Sequence, residues 1–320
     1  MKKNNQRKKI LILGGSGFIG RATAIHLSKM KEDVTITYRT ENNSHFNDGF
    51  KIKKIKYDVL DKNDDINDLV KNYDIIINFI ALVNSHSLQS NKTDREINVS
   101  LVKKLLSAVA KFNPRCKILF TSSQTVYGAT NSINISEDHP IVPETVYAKQ
   151  KREAEIICEY YKKNYNISVT ILRLANVYGF GSKTNQSVIS SFINNALEGK
   201  EIRIFGEGKE LRDYIYIGDV IKAISLAINP DLKSMTDNCG SGKYYSVKKI
   251  ALSIINNIGS GKIVHVPFPN QYAKYPGDII LISNNFMNET NWKPQVSLEE
   301  GLEKMFNYYK LHKAKYIPKE

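Results

Sequence analysis

The sequence predicts an α/β protein built on a doubly wound parallel sheet. Three observations carry that expectation. Short apolar runs alternate with segments of helical periodicity through the first 120 residues, the pattern of successive βαβ units. The apolar runs are nearly continuous, as in strands covered by helices on both faces. A glycine-rich turn, Gly14-Gly15-Ser16-Gly17-Phe18-Ile19-Gly20, stands directly between the first strand and the first helix.

The elements follow in order. Residues 10–13 read as a buried strand and 18–29 as a helix. Strands are expected at 34–38 and 52–57, and the run 74–80 is an apolar central strand. Residues 95–112 read as one amphipathic helix, with Ile97, Leu101, Leu105 and Val109 at helical spacing. A buried strand at 117–120, a long helix at 145–164 and a strand at 168–174 continue the alternation. Beyond about residue 180 the pattern loosens. Helices are expected near 188–197, at 219–227 and from 298 to about 313, and a strand at 202–205, with Gly and Asn punctuating the rest.

Composition excludes several classes. The 320 residues are 42% hydrophobic and 24% charged, as in a soluble globular protein rather than a disordered, collagen-like or coiled-coil chain. The longest nearly apolar run, 75–83, contains Asn78 and is far shorter than the ~18 residues of a membrane span. The charge balance is 46 − 32 = +14. Such an excess suits nucleic acid, an anionic membrane or a phosphorylated ligand. However, part of it is terminal: Lys2, Lys3, Arg7, Lys8 and Lys9 at one end, Lys310, Lys313, Lys315 and Lys319 at the other. No basic helix interleaved with aromatics stands out, so no nucleic-acid or membrane partner is expected. Cys116, Cys158 and Cys239 have no CxxC spacing, which argues against a disulfide framework or a metal site and fits a reducing cytoplasm. The basic start, the apolar ILIL and Ala22-Thr23-Ala24 imitate a signal peptide, but the apolar run breaks at Gly14.

Those glycines have a better explanation. Gly14, Gly17 and Gly20 are spaced three apart, with Phe18 and Ile19 opening the helix. A dinucleotide site needs a tight turn, a close backbone approach to the pyrophosphate, and close packing of helix on strand, which three such glycines supply. The helix N-terminus adds free N–H groups and a positive dipole end. The sheet is therefore of Rossmann type, and its cofactor is NAD or NADP. An acidic residue ending the second strand would favour NAD; Tyr38-Arg39 stands there instead. Arg39 can pair with a 2′-phosphate, stack on adenine, or face solvent. Asp58 is a candidate acceptor for the adenine amino group, with Val59 beside it and Ala81 after the central strand as further cofactor contacts.

Tyr147 and Lys151 lie four apart on the long helix and share a face. Lowering a tyrosine pKa from about 10 to ~7 takes ~4 kcal/mol of preferential phenolate stabilisation. A nearby ammonium and an oxidised nicotinamide are the right perturbers, and the pair then makes a general base for an alcohol or sugar hydroxyl. Ser123 follows the strand ending near Phe120, where open α/β sheets place their ligands. It is placed to hydrogen-bond the reacting oxygen.

With these residues assembled, the chain resembles an extended short-chain dehydrogenase/reductase of the nucleotide-sugar epimerase/dehydratase branch. The likeness rests on GGSGFIG at 14–20, SSQTVYG at 122–128, YAKQK at 147–151, RLANVYG at 173–179 and RDYIYIGDV at 212–220. The resemblance implies a catalytic triad of Ser123, Tyr147 and Lys151, with Lys151 also on the nicotinamide ribose. It implies substrate-diphosphate ligands at Asn176 and Arg212, whose guanidinium suits phosphate; the plain alternative for Arg212 is a partner for Asp213 or Asp219. Relatives carry an Arg before Pro276-Gly277-Asp278; here Lys274 is the nearest cation, and it is expected with Asp278 in the substrate site. The expected domains are 1–180, a dinucleotide-binding domain carrying the Tyr-Lys helix, and 181–320, mainly a smaller nucleotide-sugar-binding lobe. A homodimer is also implied.

The resemblance leaves three activities open. The leading one is a nucleotide-sugar epimerase inverting C4 of a hexose through a transient 4-keto sugar. A second is an NADPH-dependent 4-ketoreductase of a 4-keto-6-deoxy nucleotide sugar, favoured by Tyr38-Arg39. The third is a non-catalytic dinucleotide-binding regulator, against which the intact triad argues. A 4,6-dehydratase is not expected, because Gln124 and Thr125 replace that subgroup's Asp-Glu pair.

Overall fold

The central strand is β1 (Lys9–Leu13), whose Ile10, Leu11, Ile12 and Leu13 have no exposure to solvent. A computed structural model describes residues 7–40, 49–83, 92–130, 132–181, 187–268 and 277–311. After β1 come α1 (Phe18–Lys29), β2 (Asp33–Tyr38), β3 (Ile52–Lys56), the short α2 (Ile66–Leu69) and β4 (Ile75–Asn78). Next are α3 (Lys92–Arg95), a π-helical turn (Glu96–Ser100), α4 (Leu101–Phe112), β5 (Lys117–Ser123), β6 (Asn134–Ile135), α5 (Val146–Tyr165) and β7 (Val169–Leu174). The remainder is β8 (Asn176–Tyr178), α6 (Val188–Leu197), β9 (Glu201–Phe205), β10 (Leu211–Tyr216), α7 (Ile217–Ala227), β11 (Thr236–Cys239) and β12 (Tyr244–Ser246). It closes with α8 (Val247–Ile258), β13 (Lys262–Val266), β14 (Ile280–Leu281), α9 (Asn284–Thr290) and α10 (Leu298–Leu311).

Seven strands form one sheet in the order β11-β7-β5-β4-β1-β2-β3. The pairs β1–β2, β2–β3, β1–β4 and β4–β5 run parallel. The chain builds outward from β1 to β3, then returns to the other side of β1 through β4. That reversal makes a topological switch at the carboxyl ends of β1 and β4, where such sheets take their ligands. The expected α/β, doubly wound, Rossmann-type sheet is therefore present.

Two compact units result, each discontinuous in sequence. The first runs to Val126 and adds Ile141–Arg173 and Ala223–Asp237; the second takes Tyr127–Pro140, Leu174–Lys222 and the chain from Asn238 onward. The core of the first unit packs Leu101, Leu105 and Val109 of α4 with Ala154 and Cys158 of α5 against β5 and β7. The second unit holds a three-stranded sheet, β12-β10-β8, and a parallel pair, β13–β9.

The single helix expected over 95–112 is instead interrupted by the π turn at Glu96–Ser100. The apolar spacing survives the interruption, so periodicity alone does not reveal it. The helix α8 was not expected, although its signals are local. Ser246 caps it through Lys249 N, Ile250 and Ile254 face inward, and Gly259 stops it at φ 76°. Helix α5 starts where Thr145 Oγ1 accepts the Ala148 N–H at 3.2 Å, and ends at Asn166 in the left-handed region.

One buried ion pair fastens α5 to β7. Glu155, with no solvent exposure, accepts Arg173 Nε and Nη2, each at 2.9 Å, and Arg152 Nη1 at 3.0 Å. Removing one partner of a buried pair strands the other charge. Arg173→Ala is expected to lower unfolding free energy by about 3–5 kcal/mol in a urea titration. Arg152→Ala, which removes a more exposed partner, should cost about 1 kcal/mol or less. Equal costs for the two variants would contradict this assignment.

Candidate active site

The turn after β1 is shaped by what cannot fit there. Gly14 sits at φ 75°, and a Cβ on it would lie 3.1 Å from Ile80 N and 3.2 Å from the Phe79 carbonyl carbon. Its N–H donates to Thr37 Oγ1 at 3.0 Å, while its carbonyl accepts Gly17 N–H at 3.0 Å. A Cβ on Gly20 would stand 2.4 Å from Gly14 O. Sequence reading passed over two participants here. Gly15 lies so close to Ile36 that a Cβ would fall 2.4 Å from its Cβ, and buried Thr37 holds the turn by its hydroxyl. Their signals, a second adjacent glycine and a β-branched hydroxyl one residue before Tyr38, were in the sequence but depend on strand pairing for meaning.

Helix α1 starts from Gly17 with no side-chain cap and no acidic residue in its first turn. Its opening N–H groups at Phe18 and Ile19 face no competing carboxylate from the helix itself. A cradle that any Cβ would fill, at an uncapped helix N-terminus, fits the pyrophosphate of a dinucleotide. Tyr38 is half-buried at the end of β2, and Arg39 beyond it is exposed. Asp58 is half-buried, and its Oδ1 accepts Leu60 N–H at 3.0 Å. Val59 packs on the core of this unit, and Ala81 is half-buried past β4.

Tyr147 and Lys151 are both buried on one face of α5. Lys151 Nζ donates to Thr121 O of β5 at 2.8 Å and lies 4.8 Å from the Phe120 ring centre and 5.8 Å from that of Tyr147. Burial lowers the Lys151 ammonium to about 8, with Glu155 pulling the other way. Burial also pushes the Tyr147 phenol above its ordinary value. The phenol thus needs more than the Lys151 ammonium already near its ring before it can act as a base near neutrality. Ser123 closes β5 two residues past the carbonyl that holds Lys151. Its Oγ accepts Thr125 N–H at 3.2 Å and Thr125 Oγ1 at 3.0 Å.

A further link ties the cofactor side of this unit to α5. Asn98, inside the π turn, accepts Leu82 N–H at 2.9 Å and donates to Leu82 O at 3.0 Å. The same Nδ2 donates to Gln150 Oε1 at 2.7 Å, one residue before Lys151. No sequence signal pairs residues 52 positions apart, and neither Asn98 nor Gln150 was expected. π turns gather at functional sites.

In the second unit, Asn176 Nδ2 donates to Asp213 O at 2.9 Å. Arg212 is buried and donates to Leu211 O at 2.8 Å and to Gly277 O at 3.1 Å. Asp278 Oδ1 accepts Leu211 N–H at 2.8 Å, so this carboxylate also secures β10. Asp213 accepts four donors, Ser241 N and Oγ, Gly242 N and Leu281 N, and burial raises it to about 6. Lys274 lies outside the described residues. Among the described residues no group of three or more His, Cys, Asp or Glu is placed to hold a metal ion, and no helix is long and apolar enough to cross a membrane.

The sequence model of the NAD dependent epimerase/dehydratase family matches residues 10–240. The chain belongs to that family. A Methanocaldococcus jannaschii protein, provisionally named a UDP-glucose 4-epimerase, is 32% identical over 94% of this chain and 98% of its own. A Bacillus cytotoxicus UDP-N-acetyl-α-D-glucosaminuronate decarboxylase is 30% identical over 95% and 98%. The UDP-glucuronic acid 4-epimerase of Bacillus cereus, solved with UDP-glucuronic acid and NAD, shares the fold at a TM-score of 0.85 and 24% identity, covering 95% of this chain and 99% of that one. The chain is accordingly an enzyme of the NAD-dependent epimerase/dehydratase type.

Two outcomes follow for this unit. Gly20→Ala should abolish NAD binding in a calorimetric titration, because the new methyl group falls on Gly14 O; unchanged affinity would contradict the cradle. Lys151 keeps its proton to 10.5 when unfolded but only to about 8 when folded. Between those values the unfolded chain binds the extra proton, so this contribution to stability grows as pH rises and is lost as pH falls through about 8. In the cofactor-free protein, Lys151→Met should flatten the rise of unfolding free energy across that window by about 1.4 kcal/mol per pH unit. Parallel slopes would refute the depressed ammonium.

Proposed function

We propose that this enzyme is an NAD-dependent UDP-sugar 4-epimerase, acting on a UDP-hexose through a transient 4-keto sugar. The observation that carries the reading is the buried Tyr147–Lys151 face of α5 anchored to β5 beside Ser123. It is supported by the 32% identical relative provisionally named a UDP-glucose 4-epimerase. It is supported too by Gln124 and Thr125 after Ser123, neither of which supplies the acid-base group that eliminating water requires.

Gly14, Gly17, Phe18, Ile19 and Gly20 would hold the pyrophosphate, with Tyr38, Arg39, Asp58, Val59 and Ala81 on the adenosine and nicotinamide sides. When bound, the nicotinamide supplies a reversible two-electron acceptor for the C4 hydrogen. Tyr147 takes the O4 proton and returns it after the keto sugar has turned over. Lys151, already desolvated, would hold the phenolate down electrostatically and would contact the nicotinamide ribose of a bound dinucleotide. Ser123 donates to O4. Asn176, Arg212 and Asp278, with Lys274, are the proposed ligands of the substrate's diphosphate and sugar. Domains of 1–180 for cofactor and 181–320 for substrate remain part of the reading, although segments of the two compact units alternate along the sequence.

Three buried free cysteines suit a reducing cytoplasm. Ile156 and Tyr160, exposed on α5, give a second copy an apolar face for a homodimer. A second reading, NADPH-dependent 4-ketoreduction, is favoured by one observation: Arg39 is exposed where β2 ends.

Protein purified without added cofactor is expected to carry NAD, seen by mass spectrometry, and to interconvert UDP-glucose and its C4 epimer without added reductant. Cofactor-free protein that consumes NADPH would support the second reading instead. Tyr147→Phe should keep the dinucleotide but lose about 10²–10⁴-fold in turnover, the span of general acid-base catalysis. Near-normal turnover would remove Tyr147 from its role.

A further inference from the structure

We infer that Thr125 is a positioning residue that leaves Ser123 able only to donate a hydrogen bond to the reacting sugar. The inference rests on the 4-epimerase reading.

A serine hydroxyl carries one proton and two acceptor lone pairs. Both acceptor positions of Ser123 Oγ are filled from one residue: the Thr125 backbone N–H at 3.2 Å and the Thr125 hydroxyl at 3.0 Å. The only capacity left on Ser123 is its own O–H. The threonine delivers its hydroxyl in a fixed direction, because it sits in the short helical turn Gln124–Tyr127 directly after β5 and its β-branch restricts χ1. The backbone bond is available to any residue type at this position except proline. The hydroxyl bond requires Thr or Ser, so the side chain makes the difference.

The chemistry needs that polarity. As Tyr147 takes the O4 proton and the C4 hydrogen leaves with its electron pair for the oxidised nicotinamide that the 4-epimerase reading requires, O4 becomes a carbonyl oxygen. It then has lone pairs to offer and nothing to donate. A Ser123 O–H committed to donation stabilises that oxygen without transferring a proton. In the reverse half the C4 hydrogen returns, and Tyr147 gives the proton back to O4. Ser123 ends each cycle as it began. A hydroxyl with an open acceptor position can instead turn to accept from the sugar's own O4–H, which favours the ground state over the keto form. Donors fixed before the reaction, and aimed where charge develops, are those that lower its barrier. Thr125 therefore acts on turnover rather than on substrate affinity.

The test is a steady-state cycle on the NAD-loaded enzyme with UDP-glucose, and with UDP-N-acetylglucosamine as a second probe. Thr125→Val should lower kcat roughly 10-fold, the scale of one hydrogen bond, and leave KM unchanged. Thr125→Ser should restore kcat. In a Ser123→Ala background, Thr125→Val should cost nothing further. Thr125→Ala serves the same cycle if the valine variant does not fold. Full kcat in Thr125→Val, an effect confined to KM, or an undiminished second loss in the Ser123→Ala background would each overturn the inference. Ser123→Ala with wild-type turnover would sink the 4-epimerase assignment of Ser123 itself. A damaged Ser123→Ala beside unaffected Thr125 variants would sink only the present proposal. If the wild-type enzyme converts neither probe, the parent reading falls and this one falls with it.

Discussion

A buried ammonium held by a single strand carbonyl is the constraint around which the first unit is organised. Lys151 Nζ donates to Thr121 O and is lowered to about 8 by its burial. Keeping a charge-bearing group in that environment demands that α5 be fixed in both position and rotation. The structure meets the demand from two sides. One turn along the helix, the Glu155–Arg173 pair ties α5 to β7. One residue before the lysine, Gln150 ties it through Asn98 to the backbone at Leu82. The same strand that supplies the carbonyl ends at Ser123, so lysine and serine are set by one piece of backbone.

The glycine turn after β1 obeys a different kind of constraint, steric rather than electrostatic. Gly14 and Gly20 are required because backbone atoms of Ile80 and of Gly14 itself occupy the space of a side chain. Such exclusion is indifferent to pH and salt. The glycine turn is thus insensitive to conditions that alter Lys151, and the two halves of the site respond to different perturbations.

Much of this was legible in the sequence. Strand-helix alternation and unbroken apolar runs predicted the sheet, and the glycine spacing predicted the switch-point turn, because both depend on local pattern. Tyr147 and Lys151 were readable as a pair because four residues on a helix make one face. What could not be read depends on partners distant in sequence. Asn98 and Gln150 meet only after α4 and α5 pack, and the π turn that aims Asn98 hides behind an intact apolar spacing of Ile97, Leu101 and Leu105. The second unit was read poorly for another reason: β8, β12 and β14 are only two or three residues long, and they take their meaning from their partners β10 and β6. Helix α8 is the exception. Its cap at Ser246, its apolar positions and its stop at Gly259 were all present, but the Gly and Asn around it drew the reading toward loop.

The π turn at Glu96–Ser100 has a consequence for how this chain can vary. A π turn is an α-helix carrying one residue too many. Removing any one residue from that stretch would restore a regular helix with better backbone hydrogen bonds. The flanking helical segments would stay nearly in phase, because the wide turn already absorbs the extra residue, but Asn98 would lose the widened turn from which it reaches both Leu82 and Gln150. Idealised redesign of this helix therefore trades local regularity for the link that Asn98 makes between the backbone at Leu82 and Gln150 of α5.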